Sequence, residues 1–393
     1  GLLFANHATF LKTGVGFARR RNGGMSMRAV LSLAAVLGRA GGVHYESSDC
    51  FDLRQDVIEG ADLRPRGSVD RRIRHVELGR ELESGRFGAL FVWGHNPAVT
   101  CPDAGRVARA LEREELFVVV HEQFLTETAA FADVVLPATM FVEHDDFYTA
   151  SGHTYFQVTK KVIEPPGECR ENHWVIGELA KRLGATHRGF QMTPWEIMDE
   201  TLRKSGMWDA ETNWRRGGQD FAPAFETAHF LDGFPTPDRR FHFKPDWARF
   251  GGRGAEMPAL PDHFAVTDEA TAEKPFRLVA APARTFLNST FTETPSSLAR
   301  EKRPTALLHP DDCAALGAVA GTPVQLGNER GQVIAHAEPR EGQQRGVVIV
   351  EGVWPSKHFV NRLGINALTS ADPGWPNGGA AFHDTAVWVR TLD

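Results

Sequence analysis

The sequence predicts an α/β protein in which a parallel βαβ sheet region is followed by a C-terminal β-barrel. Between residues 88 and 137, short apolar runs alternate with helix-like segments. After about residue 275, short strands follow one another through Gly- and Pro-containing turns. Strands joined by helices require right-handed crossovers and parallel pairing, whereas many short strands joined by turns close into a barrel.

Composition bounds the answer further. The 393 residues suffice for about two to three domains. Apolar residues make up 42% and charged residues 24%, an ordinary globular balance that can supply large cores. Lys and Arg number 44 against 50 Asp and Glu, a net charge of −6. That argues against a nucleic-acid scaffold and against a polybasic membrane anchor. Cys50, Cys101, Cys169 and Cys313 lie 51, 68 and 144 residues apart. Such spacing excludes a disulfide framework, a zinc ribbon and a complete iron–sulfur ligand set within this sequence. The longest apolar stretch, 29–38, is shorter than the ~20 residues that span a bilayer. The opening Gly-Leu-Leu-Phe-Ala has no initiator Met, charged leader or cleavage pattern. The expectation is a fragment lacking an upstream part, with a cytoplasmic location.

Taken in order, Met25, Val30, Leu33 and Leu37 have helical spacing, and Gly41-Gly42 ends that helix. Residues 46–85 are polar, and their basic run Arg71-Arg72-Ile73-Arg74 reads as a solvated helix face. Ala89–Trp93 is expected as a strand, broken by Gly94-His95-Asn96-Pro97. A helix from about 103 to 114, a strand over 116–121, a short helix near 126–131 and a strand over 133–136 follow. Ligands in such sheets bind at the carboxyl ends of the strands, here near Gly94, His121 and Pro137.

Another helix is expected over 172–183, and Thr193-Pro-Trp-Glu196 opens the next with a capping box and an N1 proline. Residues 205–270 read as irregular, ending in a linker near 261–274. Candidate barrel strands are 276–280, 323–326, 332–337, 346–350 and 385–389, with Asn328-Glu-Arg-Gly331 as a hairpin loop. A short helix over 311–316 ends at Gly317.

Site candidates follow from placement. The 94–97 loop between strand and helix offers free amides to an anion, although the dinucleotide fingerprint G-x-G-x-x-G is absent there. Thr126 and Thr128, followed by Asp133 at a strand start, put polar groups beside an apolar sheet edge; helix capping explains the threonines equally well. Glu143-His144-Asp145-Asp146 with His153 has metal-binding chemistry. It lacks an i, i+4 His pair and reads better as the border of a cofactor or substrate funnel. Cys169 and Cys313 read as packed thiols, and Trp354 and Trp375 as packing.

The order and spacing of these motifs decide more than any one of them. Gly94-x-Asn96-Pro97 is followed by Thr126-Glu-Thr128-Ala-x-x-Ala-Asp133-Val-Val-Leu-Pro137, then by Glu143 and Gly152. In the C-terminal part come Asn288-Ser289-Thr290, His309-Pro-Asp-Asp312 with Gly317 and Gly321, Asn328-x-Arg330-Gly331 and Asn366-x-Leu-Thr369. This succession resembles the molybdopterin oxidoreductases of the dimethyl sulfoxide reductase superfamily over nearly the whole chain. The resemblance implies a Rossmann-like sheet region within 1–265, its nucleotide-binding core at about 86–185. It also implies a dinucleotide-binding double-psi β-barrel over 275–393.

It further implies a cofactor of two pterin–guanine dinucleotides (bis-MGD) holding molybdenum or tungsten, performing two-electron redox or oxygen-atom transfer on a small-molecule substrate. The residues implied in binding are Gly94, Asn96, Pro97, His121, Thr126, Thr128 and Asp133 from the sheet region. From the barrel they are Arg284, Asn288, Ser289, Thr290 and Asn366. A [4Fe-4S] cluster and the metal-ligating residue belong to the missing upstream region, and an electron-transfer subunit is an expected partner; nucleic acid and a membrane span are not. Two rival readings stay open at this stage: a metal-free structural or electron-transfer subunit of the same fold, and an NAD(P)-dependent dehydrogenase.

Overall fold

The computed structural model describes residues 2–7, 9–44, 51–61 and 72–392; Cys50 and Arg71 lie outside them. Two short strands, β1 (Leu11–Lys12) and β2 (Val43–His44), pair in parallel around a helix over Gly23–Val36. Met25 and Ala34 are buried on that helix, while Leu33 and Val36 face outward.

The parallel sheet consists of β3 (Ala89–Trp93), β4 (Phe117–Glu122) and β5 (Val134–Pro137), in that order. β3 pairs with β4 from Ala89↔Phe117 to Trp93↔His121, and β4 with β5 from Val119↔Val134 to Glu122↔Pro137. The first crossover carries a helix over Ala104–Leu111, whose Val107, Ala110 and Leu111 face the sheet. In the second, the expected short helix is a single 3-10 turn, Ala129–Phe131. The apolar runs are not buried on both faces, as strands of a fully covered parallel sheet would be. β4 instead alternates, with Val118 and Val120 enclosed and Phe117 half exposed, and Val134 and Val135 of β5 face outward. A second helix, Leu78–Glu83, packs against Ala104–Leu111 from within the segment read as merely polar.

The helices expected near 172–183 and from Thr193 are present, but they accompany a small sheet that the sequence does not predict. Antiparallel β6 (Asp146–Tyr148), β7 (Tyr155–Thr159) and β8 (Gln219–Asp220) pack on helices Pro194–Lys204 and Ala210–Arg216; the helix Asn172–Arg182 precedes these two helices in the chain. Phe156, Val158, Met198, Leu202, Met207 and Ala210 form the core of this unit. The capping box is present: Thr193 Oγ1 accepts from the Glu196 amide at 3.2 Å and Glu196 accepts from the Thr193 amide at 2.7 Å. The helix at Ala210–Arg216 corrects the expectation of irregular structure from residue 205. Asp209 caps it, and Gly217, at φ 75°, ends it.

The C-terminal strands close a six-stranded barrel. They are β9 (Phe276–Ala281), β10 (Thr305–Leu308), β11 (Pro323–Asn328), β12 (Gly331–Pro339), β13 (Val347–Glu351) and β14 (Thr385–Thr391). Around the barrel the order is β10-β12-β11-β14-β9-β13. β10–β12 and β13–β9 are parallel and the remaining pairs antiparallel. Inward residues such as Leu278, Leu308, Val324, Leu326, Val333, Val348 and Val387 fill the interior. Asn328 pairs with Gly331 across the predicted hairpin. Trp354 is 2% exposed and meets Phe286 edge-on at 4.8 Å, which agrees with its packing role. Cys313 is buried as expected, whereas Cys169 is only partly so.

Candidate functional site

The carboxyl edge of the parallel sheet is where the motifs converge. Gly94 leaves β3 at φ 50°, and a Cβ built there would meet nothing within 4 Å. The turn is thus open on one side, and its amide is anchored to the His121 carbonyl at 3.0 Å. Asn96 is buried and fully engaged. Its Oδ1 accepts from Thr128 Oγ1 at 2.7 Å and from the Thr128 amide at 3.2 Å, while Nδ2 donates to Glu127 at 3.0 Å. Thr128 in turn accepts from the Ala98 amide at 3.1 Å. Pro97 opens the helix Pro97–Thr100 from a buried position. Thr126 accepts from the Ala129 amide at 3.3 Å, whereas the N-cap residue of that 3-10 turn is Thr128, whose side chain makes no capping bond. Asp133 accepts from the Val118 amide at 2.7 Å and ties β5 to β4.

His121 is the penultimate residue of β4 and is fully enclosed. Its Nε2 meets the Arg170 carbonyl at 3.1 Å, Trp93 lies edge-on at 5.3 Å, and Nδ1 has no partner among the described residues. The segment at Arg170 bridges to Ala138 beside β5 and covers the strand tip, so the imidazole is shielded from a ligand at the surface.

The barrel supplies both anchors and free donors. Asn366, 2% exposed, donates to the Val99 carbonyl at 2.9 Å and the Thr100 carbonyl at 3.4 Å. It satisfies acceptors that the end of a helix leaves open. Glu127 accepts from the Ser356 amide at 3.1 Å, and the Asp103 amide donates to the Thr369 carbonyl at 3.0 Å. Three polar links, two of them from the Asn366-x-Leu-Thr369 motif, therefore join the sheet region to the barrel. By contrast, Arg284, Asn288 and Thr290 are exposed on the loop after β9. Among the described residues their side chains have no hydrogen-bond partner, and neither does that of half-buried Ser289. Asn288 takes a left-handed conformation at φ 52°, which asparagine tolerates better than most residues.

A cavity of about 1180 Å³ opens at the same sheet edge. Gly94, Gln123 and Thr139 line it from the sheet, and His144, Asp145 and Asp146 from the acidic cluster. Those acidic side chains do not converge on a metal. Glu143 accepts from the Met140 amide, Asp145 from the Lys161 amide, and His144 pairs with Asp146 at 3.5 Å. The hydrogen bond to Asp146 raises the pKa of His144 above the usual imidazole value. Burial raises that of Glu171 on the same wall, opposed by His144 and His173. An acid and a base whose environments shift them can hold or exchange protons inside one cavity.

Because folding raises the His144 pKa, its contribution to stability is full below the ordinary value of about 6.5 and is lost as pH rises through the folded value. Asp146→Asn should therefore lower the His144 titration midpoint, followed by the NMR shift of its ring protons. An unchanged midpoint would assign the shift elsewhere.

Comparison with known proteins agrees with this layout. The model of the molybdopterin oxidoreductase family matches residues 5–182, and that of the molydopterin dinucleotide binding domain matches 276–386. A "Probable oxidoreductase YoaE" of Bacillus subtilis is 33% identical over 400 residues, covering 98% of this chain and 57% of the relative. The dimethyl sulfoxide/trimethylamine N-oxide reductase of Rhodobacter capsulatus is 30% identical, covering 72% of this chain and 38% of its own length. In fold, the chain superposes on acetylene hydratase from Pelobacter acetylenicus with a TM-score of 0.76 at 17% identity, over 100% of this chain and 62% of that one. The chain thus spans under three fifths of the length of relatives such as YoaE. With both family models matched in order, and reductases of dimethyl sulfoxide and trimethylamine N-oxide among its relatives, the chain belongs to the molybdopterin oxidoreductase family.

Proposed function

We propose that this chain is the cofactor-gripping portion of a bis-MGD enzyme with molybdenum or tungsten, divided at about residues 265–275 into a sheet region and a double-psi barrel. The supporting observation is how the motif residues divide. Asn96, Thr128, Asp133 and Asn366 spend their polar atoms inside the protein, whereas Arg284, Asn288, Ser289 and Thr290 keep theirs free. A long dinucleotide needs such unspent donors, and the open face at Gly94 lets backbone approach closely, so the residues present fit the group.

In this reading Arg284 pairs with a phosphate through charge-assisted bonds, and the Asn288 amide, which both donates and accepts, suits a pterin or guanine edge. Ser289 and Thr290 add hydroxyls. Asn96, Pro97, Thr126, Thr128 and Asn366 position the Gly94 loop against the barrel, with His121 bracing the strand end beneath it; Asp133, at the opposite, amino edge of the sheet, acts only by tying β5 to β4. When bound, the cofactor supplies two-electron redox chemistry or oxygen-atom transfer on a small-molecule substrate. The cavity beside Gly94 is the substrate approach, with His144 and Glu171 placed to hold protons on its wall. The whole enzyme would add a region bearing the metal ligand and a [4Fe-4S] cluster, work with an electron-transfer subunit, and reside in the cytoplasm.

The test uses Arg284→Ala and Asn288→Ala in the whole enzyme, reading molybdenum and released guanine nucleotide per protein. Losing one polar partner costs roughly 1–3 kcal/mol, about 5- to 150-fold in binding. The double variant should be largely cofactor-free yet keep the thermal stability of cofactor-free wild type. Full occupancy in the double variant would remove this loop from the site.

A further inference from the structure

Away from the free donors, three metal-ligating side chains from separate segments meet at the start of the sheet's first crossover. His75 opens a 3-10 turn, His95 lies in the loop after β3, and Cys101 follows the helix Pro97–Thr100. His75 Nε2 lies 2.7 Å from His95 Nε2 and 3.2 Å from Cys101 Sγ. All three ligand atoms fall within 4.8 Å of one another. We propose that His75, His95 and Cys101 form a binding site for a zinc-class divalent cation.

The chemistry and the geometry both suit such an ion. Two imidazoles and one thiolate form a borderline-soft donor set that favours zinc over magnesium or calcium. Tetrahedral zinc, with bonds of about 2.0–2.1 Å to nitrogen and 2.3 Å to sulfur, holds its ligand atoms roughly 3.3–3.6 Å apart. The observed spacing therefore needs only a small spreading of His75 from its two neighbours and a small approach of His95 to Cys101. His75 is exposed and can make that movement, while Cys101, 1% exposed, is fixed in the sheet's core.

Binding displaces the thiol proton to solvent, and each imidazole offers its Nε2 lone pair with the remaining ring proton on Nδ1. Three protein ligands leave a fourth position for water on the side where His75 meets solvent. The site borders Asn96 and Pro97, so a bound cation would tie the segment at residue 75 to the loop that the sheet presents at its carboxyl edge. Without metal, the same atoms satisfy one another by hydrogen bonds; this is the competing explanation that the experiment must separate.

The full chain, stripped with chelator and then given one equivalent of zinc, should retain about one ion per chain through desalting. Zinc K-edge absorption should show one sulfur at about 2.3 Å and nitrogens at about 2.0 Å. Cys101→Ser, nearly unchanged in volume, should lose the sulfur signal. His75→Ala, on the surface and harmless to folding, should weaken zinc binding at least about a hundredfold, since even outer-sphere losses reach that size. Failure of wild type to retain zinc would overturn the site. So would a sulfur signal that survives in Cys101→Ser, or undiminished affinity in His75→Ala.

Discussion

Arg330→Ala should destabilise the barrel by about 2–3 kcal/mol, below the roughly 3–5 kcal/mol of removing one partner from a fully buried ion pair, because both side chains keep some contact with solvent. Arg330 and Asp268 are 15% and 13% exposed and in contact, and the guanidinium also donates to the Leu368 carbonyl at 2.8 Å. The same carbonyl accepts from Asn328 at 2.9 Å. Two residues of the Asn-x-Arg-Gly turn thus hold the segment that carries Asn366. The substitution leaves the Asp268 carboxylate without its partner, and the loss should appear as a lower urea midpoint with an unchanged slope. Arg330→Lys should recover only part of it, because an ammonium cannot reach both acceptors in the planar geometry of a guanidinium. A midpoint within error of wild type would show that Asp268 finds another partner or water.

Asn96→Leu should cost about 3 kcal/mol. It keeps much of the volume, yet leaves the Thr128 amide, the Thr128 hydroxyl and a Glu127 oxygen without their partner, and each orphaned buried group costs roughly 1–3 kcal/mol. Relaxation and water at Glu127 keep the sum at the lower end. The sheet's own denaturation midpoint should fall with or without cofactor. If stability holds and only cofactor occupancy drops, Asn96 acts on the ligand directly and not through the loop.

Local signals were the most legible in the sequence. The Thr193–Glu196 capping box, the turn at Asn328–Gly331 and the stop at Gly317 depend on neighbours within a few residues, and each has the predicted form. β10 escaped because its four residues follow Arg303-Pro304 and are held by a parallel partner some thirty positions away. β6 and β7 are short, and their apolar faces acquire meaning only against helices far along the chain.

At the site, the residue types were legible but their employment was not. Asn96, Thr128 and Asn366 stood out by motif, yet their partners depend on how the sheet meets the barrel. His75, His95 and Cys101 carried no signal at all, since spacings of 20 and 6 residues match no local ligand pattern and the three meet only through the fold. His121 shows the converse: a strand-end position that favours ligand contact is overridden by the backbone at Arg170, which covers it.

The polar links between sheet and barrel join residues 229 to 267 positions apart in the chain. At synthesis rates of about 5–20 residues per second, the sheet emerges from the ribosome tens of seconds before Ser356, Asn366 and Thr369 exist. Throughout that interval the carbonyls of Val99 and Thr100 lack the amide that later caps them, and Glu127 lacks the Ser356 donor. The nascent sheet therefore meets the cell with its carboxyl edge unlatched, and residues translated more than two hundred positions later decide when that edge closes.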